Sequence, residues 1–470
     1  MTKKNDKRRR IVVIGAGAAG LMAACAAAEQ GAAVTILEKT EKAGKKIYIT
    51  GKGRCNLTNA CDIQAFWGHV VSNPKFLYSA VYGFDARAMM QFMEDSGCPV
   101  KIERGDRVFP VSDHASDVTK ALLAHLRRAK VEIRYHCPVQ SIEVTEVVGI
   151  RCVTGVKTAA GERVDADAVI LAVGGRSYPS TGSEGDGYRM ARELGIEVVK
   201  PAPSLVPLRT REDWCTQLQG LALKNVELTV DRPLENGGRK NKKPLYEGFG
   251  EMLFTHFGIS GPLVLTASCY MDFDAHPEGF TMHLNLKPAL TEEQITARIR
   301  REIEAAPKKK MAGVIRTMFP ARLAELIAGM SGLSDRVAAS VNDKEIAALT
   351  HLIQDLVIHA EGTRGFNEAI VTRGGLHVKA FDPSTMQCKE IEGLYAAGEV
   401  LDVDAHTGGF NLQIAWSTGR RTRRAPRWNH ETGRFCPPSV VEWRGRTIPM
   451  MRQSRSGQTR CRTQTKGRRT

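Results

Sequence analysis

The chain has 470 residues, of which 42% are hydrophobic and 6% aromatic, enough to bury a large core and divide into two or three domains, which excludes disorder of the whole. Its formal charge of +16 sits at the ends: residues 1–10 hold six Lys/Arg against one Asp, residues 421–470 hold fourteen against two Glu, and residues 11–420 carry about −1. Net charge therefore specifies no substrate, and eleven dispersed cysteines without a C-x-x-C pair or zinc-like spacing exclude a disulfide scaffold and give no reason to expect a metal.

In chain order, the basic residues 1–10 precede an apolar stretch, Ile11 to Ala28, that imitates a signal peptide. Glycines at 15, 17 and 20 argue against that reading, and so does the strand-like segment that follows. No membrane span is expected, and the setting expected is the cytoplasm. Ile11–Ile14 reads as a strand, Gly15-Ala16-Gly17-Ala18-Ala19-Gly20 as a G-x-G-x-x-G turn, and an Ala-rich helix runs on to about Gln30. Gly31 stops it, and Ala33–Leu37 supplies a second strand that ends at Glu38.

Each part of this opening has a physical task. Gly15 permits the turn, Gly17 lets backbone approach a pyrophosphate, and Gly20 allows helix and strand to pack closely. Amides at the helix start, around Ala18 and Ala19, hold the phosphates. Glu38 accepts hydrogen bonds from the adenosine ribose and repels a 2′-phosphate, which points to FAD or NAD rather than NADP.

Further along, Val118–Ala129 predicts an amphipathic helix and Val131–Tyr135 a strand; Val139–Val148 and Val153–Thr158 suggest a strand pair before the buried run at Val169. Pro201-Ala202-Pro203 reads as a domain crossing. Residues 201–361 differ in texture: strands at Val226–Val230 and Phe280–Leu286, a polar loop from Glu235 to Lys243, and helices at Thr291–Ala305 and Ala321–Ala328. Gly329-Met330-Ser331-Gly332 stops the second helix, and Thr350–Ile358 is an extended or helical run. Leu394–Ala397 is a late apolar strand, and Gly408-Gly409 opens a helix. After Gly419 the composition turns to Arg, Thr, Ser, Gln and Pro, an irregular basic tail that raises the question of whether the helix is cut short.

Four further segments are too patterned to be plain connectors: Gly51-Lys52-Gly53-Arg54-Cys55-Asn56-Leu57-Thr58-Asn59; Ala172 to Pro179 with Thr181-Gly182-Ser183 and Gly185-Asp186-Gly187; Gly250 to Pro262; and Gly393 to Asp404 with Gly408 to Trp416. Together with the opening they resemble the BaiN/RdsA family of NAD(P)/FAD-dependent oxidoreductases (YhiN-like flavoproteins), over about residues 10–420. The resemblance implies an α/β fold: a Rossmann-like FAD-binding domain of glutathione-reductase type, in two parts (11–200 and 362–420), interrupted by an inserted α+β substrate-side domain (201–361), with basic segments at 1–10 and 421–470. It implies reduction of a carbon–carbon double bond, in one branch of bile-acid-type enones and in another of uracil in ribosomal RNA.

Carried residue by residue, the cofactor-binding set is Gly15, Gly17, Ala18, Ala19, Gly20, Glu38, Lys39, Arg54, Asn56, Gly174, Gly398, Asp402, Gly409, Asn411 and Leu412. Asp402 is expected at ribityl or pyrophosphate-side hydroxyls, and the amides after Gly408-Gly409 near flavin N1/C2=O. With no second G-x-G-x-x-G after a strand, NAD(P)H is expected as a transient reductant. Cys55, Tyr178 and His256 are the candidate proton donors. Alternatively, Arg54-Cys55-Asn56 merely shapes a loop against the flavin. A Cys55–Cys61 redox pair has a poor C-x₅-C spacing, and a non-enzymatic RNA-binding protein leaves the motifs without a role. Partners expected are NAD(P)H and 23S ribosomal RNA, the latter through residues such as Arg232, Lys240, Lys242 and Lys243. Oligomeric state is left open.

Overall fold

The computed structural model describes residues 8–233 and 243–422, with backbone alone for 427–429 and 434–436. Strand β1 (Arg10–Ile14), helix α1 (Ala18–Glu29) and strand β2 (Ala33–Leu37) form in sequence. β1 is flanked by β2 and by Ala168–Leu171, all parallel; Leu394–Ala396 extends the sheet beyond one side and Glu132–Arg134 beyond the other. Apart from the edge strand Glu132–Arg134, these short apolar runs are largely buried on both faces, as helix-covered parallel strands must be. The chain runs from β1 outward through β2 to Glu132–Arg134 and then returns to the other side of β1 at Ala168–Leu171, so the strand order reverses there and a crevice opens beyond the carboxyl ends of the strands. This is an α/β Rossmann-like fold.

α1 is covered by the helix Phe410–Arg421, and small residues set their spacing. A Cβ on Gly419 would lie 2.5 Å from the Ala19 carbonyl oxygen, so the two backbones touch there. This helix continues two residues past Gly419. It runs to Arg421, because Arg420 pairs with Glu29 and lies over the Phe84 and Phe92 rings, while Arg421 donates to the Ser384 carbonyl.

The inserted region is built on a closed six-stranded barrel: Leu208–Thr210, Ala222–Val230, Tyr246–Thr255, Gly258–Ser260, Phe280–Asn285 and Leu356–Thr363. With the helices Glu292–Ala305, Met311–Ile315, Ala321–Met330 and Asp343–Gln354 it encloses its own apolar core, including Phe254, Met282, Leu284, Ile295 and Leu323. Pro201-Ala202-Pro203 is not a loose crossing. It lies in the strand Val198–Ser204, which pairs antiparallel with Val371–Leu376, so the segments entering and leaving the barrel are hydrogen-bonded together. Proline is tolerated because this is a two-stranded edge with a register shift between Val199 and Ala202. The run at Thr350 divides into the end of one helix and the start of a barrel strand. Its helix begins earlier, at a capping box of Asn342 and Glu345.

The tail beyond residue 422 contributes one described antiparallel pair, Arg427–Asn429 with Arg434–Cys436. The rest of that tail, residues 1–7, and residues 234–242 with Lys240 and Lys242 lie outside the described residues.

Candidate functional site

The β1–α1 turn faces the crevice. Gly15 has φ +98, and a Cβ there would meet the Ala172 carbonyl oxygen at 2.7 Å; one on Gly20 would meet the Gly15 carbonyl oxygen at 1.9 Å. These two glycines let turn, helix and neighbouring strand close on one another. At Gly17 a Cβ would meet nothing within 4 Å. Gly17 is the N-cap of α1, offers no side-chain cap, and is followed by a first turn without an acidic residue. The leading amides, through Ala18 and Ala19, thus stand uncapped beside open space, where the helix dipole favours an anion. That donor set fits a dinucleotide's diphosphate.

Glu38 is buried at the end of β2. Its Oε2 accepts from the Ala16 amide at 2.7 Å, and its Oε1 accepts from the Thr40 amide and hydroxyl, both at 2.8 Å. The carboxylate is thereby locked in place with limited acceptor capacity left over. Lys39 is engaged with Glu184 and Asp186 at 2.7 and 2.6 Å; it ties β2 to the Gly182–Gly187 loop.

The segment from 51 to 59 is wound by positive φ at Gly51, Lys52, Gly53 and Cys55. Arg54 donates to Asp113 and Glu103 and lies 4.1 Å over the Phe109 ring, which commits its guanidinium to neighbouring protein groups. Asn56 Oδ1 is buried without a protein partner, a free acceptor of the kind a flavin N–H would satisfy. Cys55 has no exposed surface, and burial pushes its thiol up to about 12. The loop abuts the head of the C-terminal helix: a Cβ on Gly409 would sit 2.4 Å from the Thr58 carbonyl carbon, and Asn59 donates to the Gly408 carbonyl.

On the other side, Gly174 (φ +75) packs on Ser183. Gly398 (φ +77) is held near α1, where a Cβ would meet that of Ala19 at 2.7 Å, and its amide donates to the Thr418 hydroxyl. Asp402 accepts from Asn73 Nδ2 at 3.0 Å, and burial holds its carboxyl above the usual range. Asn411 clasps the loop before its own helix, bonding the Ala405 amide and the Ala405 and His406 carbonyls. Leu412 packs against the core on the α1 side of the sheet. Tyr178, half-buried at φ +51, and His256, exposed on the turn between two barrel strands, lie on separate loops with no hydrogen bond between them.

Two polar clusters escaped the sequence reading. Lys46 and Ser177 both donate to Glu399, which also accepts from the Thr372 amide. The second contains Tyr270, His406 and His69: the Tyr270 hydroxyl lies 2.7 Å from His406 Nε2, and the two histidine Nδ1 atoms are 3.2 Å apart. Ser177 and Glu399 lay in motifs that the sequence singled out, whereas Tyr270, His406 and His69 lay outside them.

Burial, with His69 beside it, lowers His406 from 6.5 to about 4. Between those values the unfolded chain binds a proton that the folded chain refuses, so stability is lost as pH falls through that window. We expect urea unfolding at pH 7 and at about pH 5 to show this loss, and His406→Gln to reduce it. An equal loss in the variant would assign the acid sensitivity to other groups.

The HI0933-like protein Rossmann domain model matches residues 9–425. The chain is similar to the 3-dehydro-bile acid delta(4,6)-reductase of Clostridium scindens, 32% identical over 84% of this chain and 92% of that protein. It is similar also to the ribosomal RNA dihydrouridine synthase of Haemophilus influenzae, 30% identical over 83% of this chain and 91% of that one. Among solved structures, 3-ketosteroid delta1-dehydrogenase from Sterolibacterium denitrificans matches at 14% identity and a TM-score of 0.45, covering 88% of this chain and 98% of that one.

Proposed function

The chain belongs to the HI0933-like family, and from that premise we propose that it is an FAD-dependent oxidoreductase that reduces an electron-poor carbon–carbon double bond. The observation that carries this reading is the uncapped, open start of α1 at Gly17, with buried Glu38 fixed one strand away. The α1 amides would hold the diphosphate and Glu38 the ribose. Asp402 would take ribityl or pyrophosphate-side hydroxyls, and Asn56 Oδ1 a flavin ring N–H. The amides after Gly409 would face the N1/C2=O edge. When bound, FAD supplies the two-electron centre that passes hydride, with NAD(P)H as transient reductant.

The protein must add a proton donor and keep water out during transfer. The settings of the three donors expected from sequence rank them. Cys55 comes last, because a fully buried thiol cannot touch a substrate and instead packs the loop. Tyr178 and His256 retain solvent-facing surface.

Uracil in 23S ribosomal RNA is the proposed substrate, in the cytoplasm, supported by the similarity to named ribosomal RNA dihydrouridine synthases and by the basic residues Arg232 and Lys243 flanking the loop before Tyr246. A small-molecule enone is the second reading, favoured by the 32% identity to a bile acid reductase. Dihydrouridine in 23S RNA from cells with and without the gene decides between them. Loss of a modified position on deletion is expected; an unchanged RNA would move the assignment to the enone.

A further inference from the structure

Tyr270, His406 and His69 form a hydrogen-bonded line between the inserted region and the loop before the C-terminal helix. Tyr270 follows the helix Pro262–Ser268 of the insertion. His406 lies two residues before Gly408, and its Nε2 meets the Tyr270 hydroxyl at 2.7 Å while its Nδ1 meets His69 Nδ1 at 3.2 Å. Both ring nitrogens of His406 are therefore engaged, so the neutral ring must donate at one and accept at the other.

Two arrangements satisfy the line. In one, the Tyr270 hydroxyl donates to His406 Nε2 and His406 Nδ1–H donates to His69. In the other, His69 Nδ1–H donates to His406 and His406 Nε2–H donates to the Tyr270 oxygen. Passing from the second to the first as Tyr270 gives up its own proton moves one proton inward along the line.

The line is held rigidly. The His406 amide donates to the His69 carbonyl, Asn411 clasps the His406 carbonyl, His69 stacks on Phe410 at 4.2 Å, and Tyr270 stacks on Tyr246 at 5.7 Å. Other titratable groups facing it are Cys269 and Asp404 near Tyr270. Burial raises Tyr270 and lowers both histidines, so all three are neutral at pH 7, as a relay of this kind requires.

We propose that Tyr270 is the catalytic proton donor and that His406 and His69 are positioning residues that return a proton to it from solvent. The assignment rests on the reading of the chain as a double-bond reductase. A bound flavin, reduced by a nicotinamide dinucleotide, would supply the hydride that turns the alkene into an enolate. The enolate's electron pair then forms a C–H bond at the neighbouring carbon as the Tyr270 O–H breaks. The phenolate oxygen takes the proton of His406 Nε2–H, His406 Nδ1 takes that of His69 Nδ1–H, and His69 regains one from water at Nε2.

The test uses full-length flavin-loaded protein reduced with dithionite, then mixed with a 23S RNA transcript or with 2-cyclohexenone as probes. Tyr270→Phe is expected to slow flavin reoxidation by about a hundredfold or more with flavin content retained, and Tyr178→Phe and His256→Gln to slow it far less. His69→Gln should lower kcat about tenfold with KM little changed and shift the pH profile of kcat. A second readout needs no turnover: ¹⁵N spectra of the histidine side chains should show His406 neutral at pH 7, with an Nε2 signal that moves in Tyr270→Phe. A Tyr270→Phe protein with native reoxidation rate, or a charged His406 at pH 7, overturns the relay. A native protein that binds no flavin, or reacts with neither probe, refutes the reductase reading instead.

Discussion

Replacing Gly17 with valine should leave the chain folded and strip it of flavin. Gly17 has φ −77 and ψ −172, an extended conformation open to any residue, and a Cβ there would touch nothing within 4 Å. The branched side chain therefore costs the empty protein little, yet it projects into the space through which phosphate oxygens must reach the amides of α1. Flavin content after purification should fall at least about tenfold, with an unchanged urea midpoint. Gly20→Ala makes the contrast, because its Cβ would fall 1.9 Å from the Gly15 carbonyl oxygen, a backbone atom with no room to yield. It should lose stability at or beyond the upper end of the ~1–3 kcal/mol typical of overpacking, and lose flavin as a consequence. Full flavin content in Gly17→Val would refute the diphosphate site.

Glu38→Ala is expected to destabilise the chain and weaken FAD together. Its carboxylate accepts from three donors, the Ala16 amide and the Thr40 amide and hydroxyl. Removing it strands the Ala16 amide in a buried turn, at a cost of about 2–3 kcal/mol in urea unfolding. Glu38→Gln keeps one carbonyl acceptor, so it should recover much of the stability while still losing roughly tenfold in FAD affinity, since the charge-assisted bonds to the ribose are gone. A Glu38→Ala chain as stable as the native one would show that these hydrogen bonds carry no net weight. Native FAD affinity in Glu38→Gln would remove the ribose assignment.

The two experiments separate what the opening motif does for the fold from what it does for a ligand. Gly15 and Gly20 are required by backbone packing even in the empty protein. Gly17 is the position where no such requirement exists, which is why its variant tests the ligand alone.

The sequence by itself determined the elements whose cause is local. Glycine spacing marks the β1–α1 turn because only glycine admits the Gly15 conformation and the Gly20 contact. Buried-strand runs mark the central sheet, and Gly408-Gly409 marks the last helix start. A further local signal, the Asn342–Glu345 capping box, was present but went unread. Tertiary structure alone decided which side chains are spent and which are free. Cys55 and Arg54 sit in the same nonapeptide, yet packing buries the thiol and ion pairs occupy the guanidinium. The closed barrel and the Tyr270–His406–His69 line join residues 136 and 337 positions apart. No periodicity encodes such pairings, because they depend on how strands far apart in the chain come to lie side by side, and that is settled by burying a shared core.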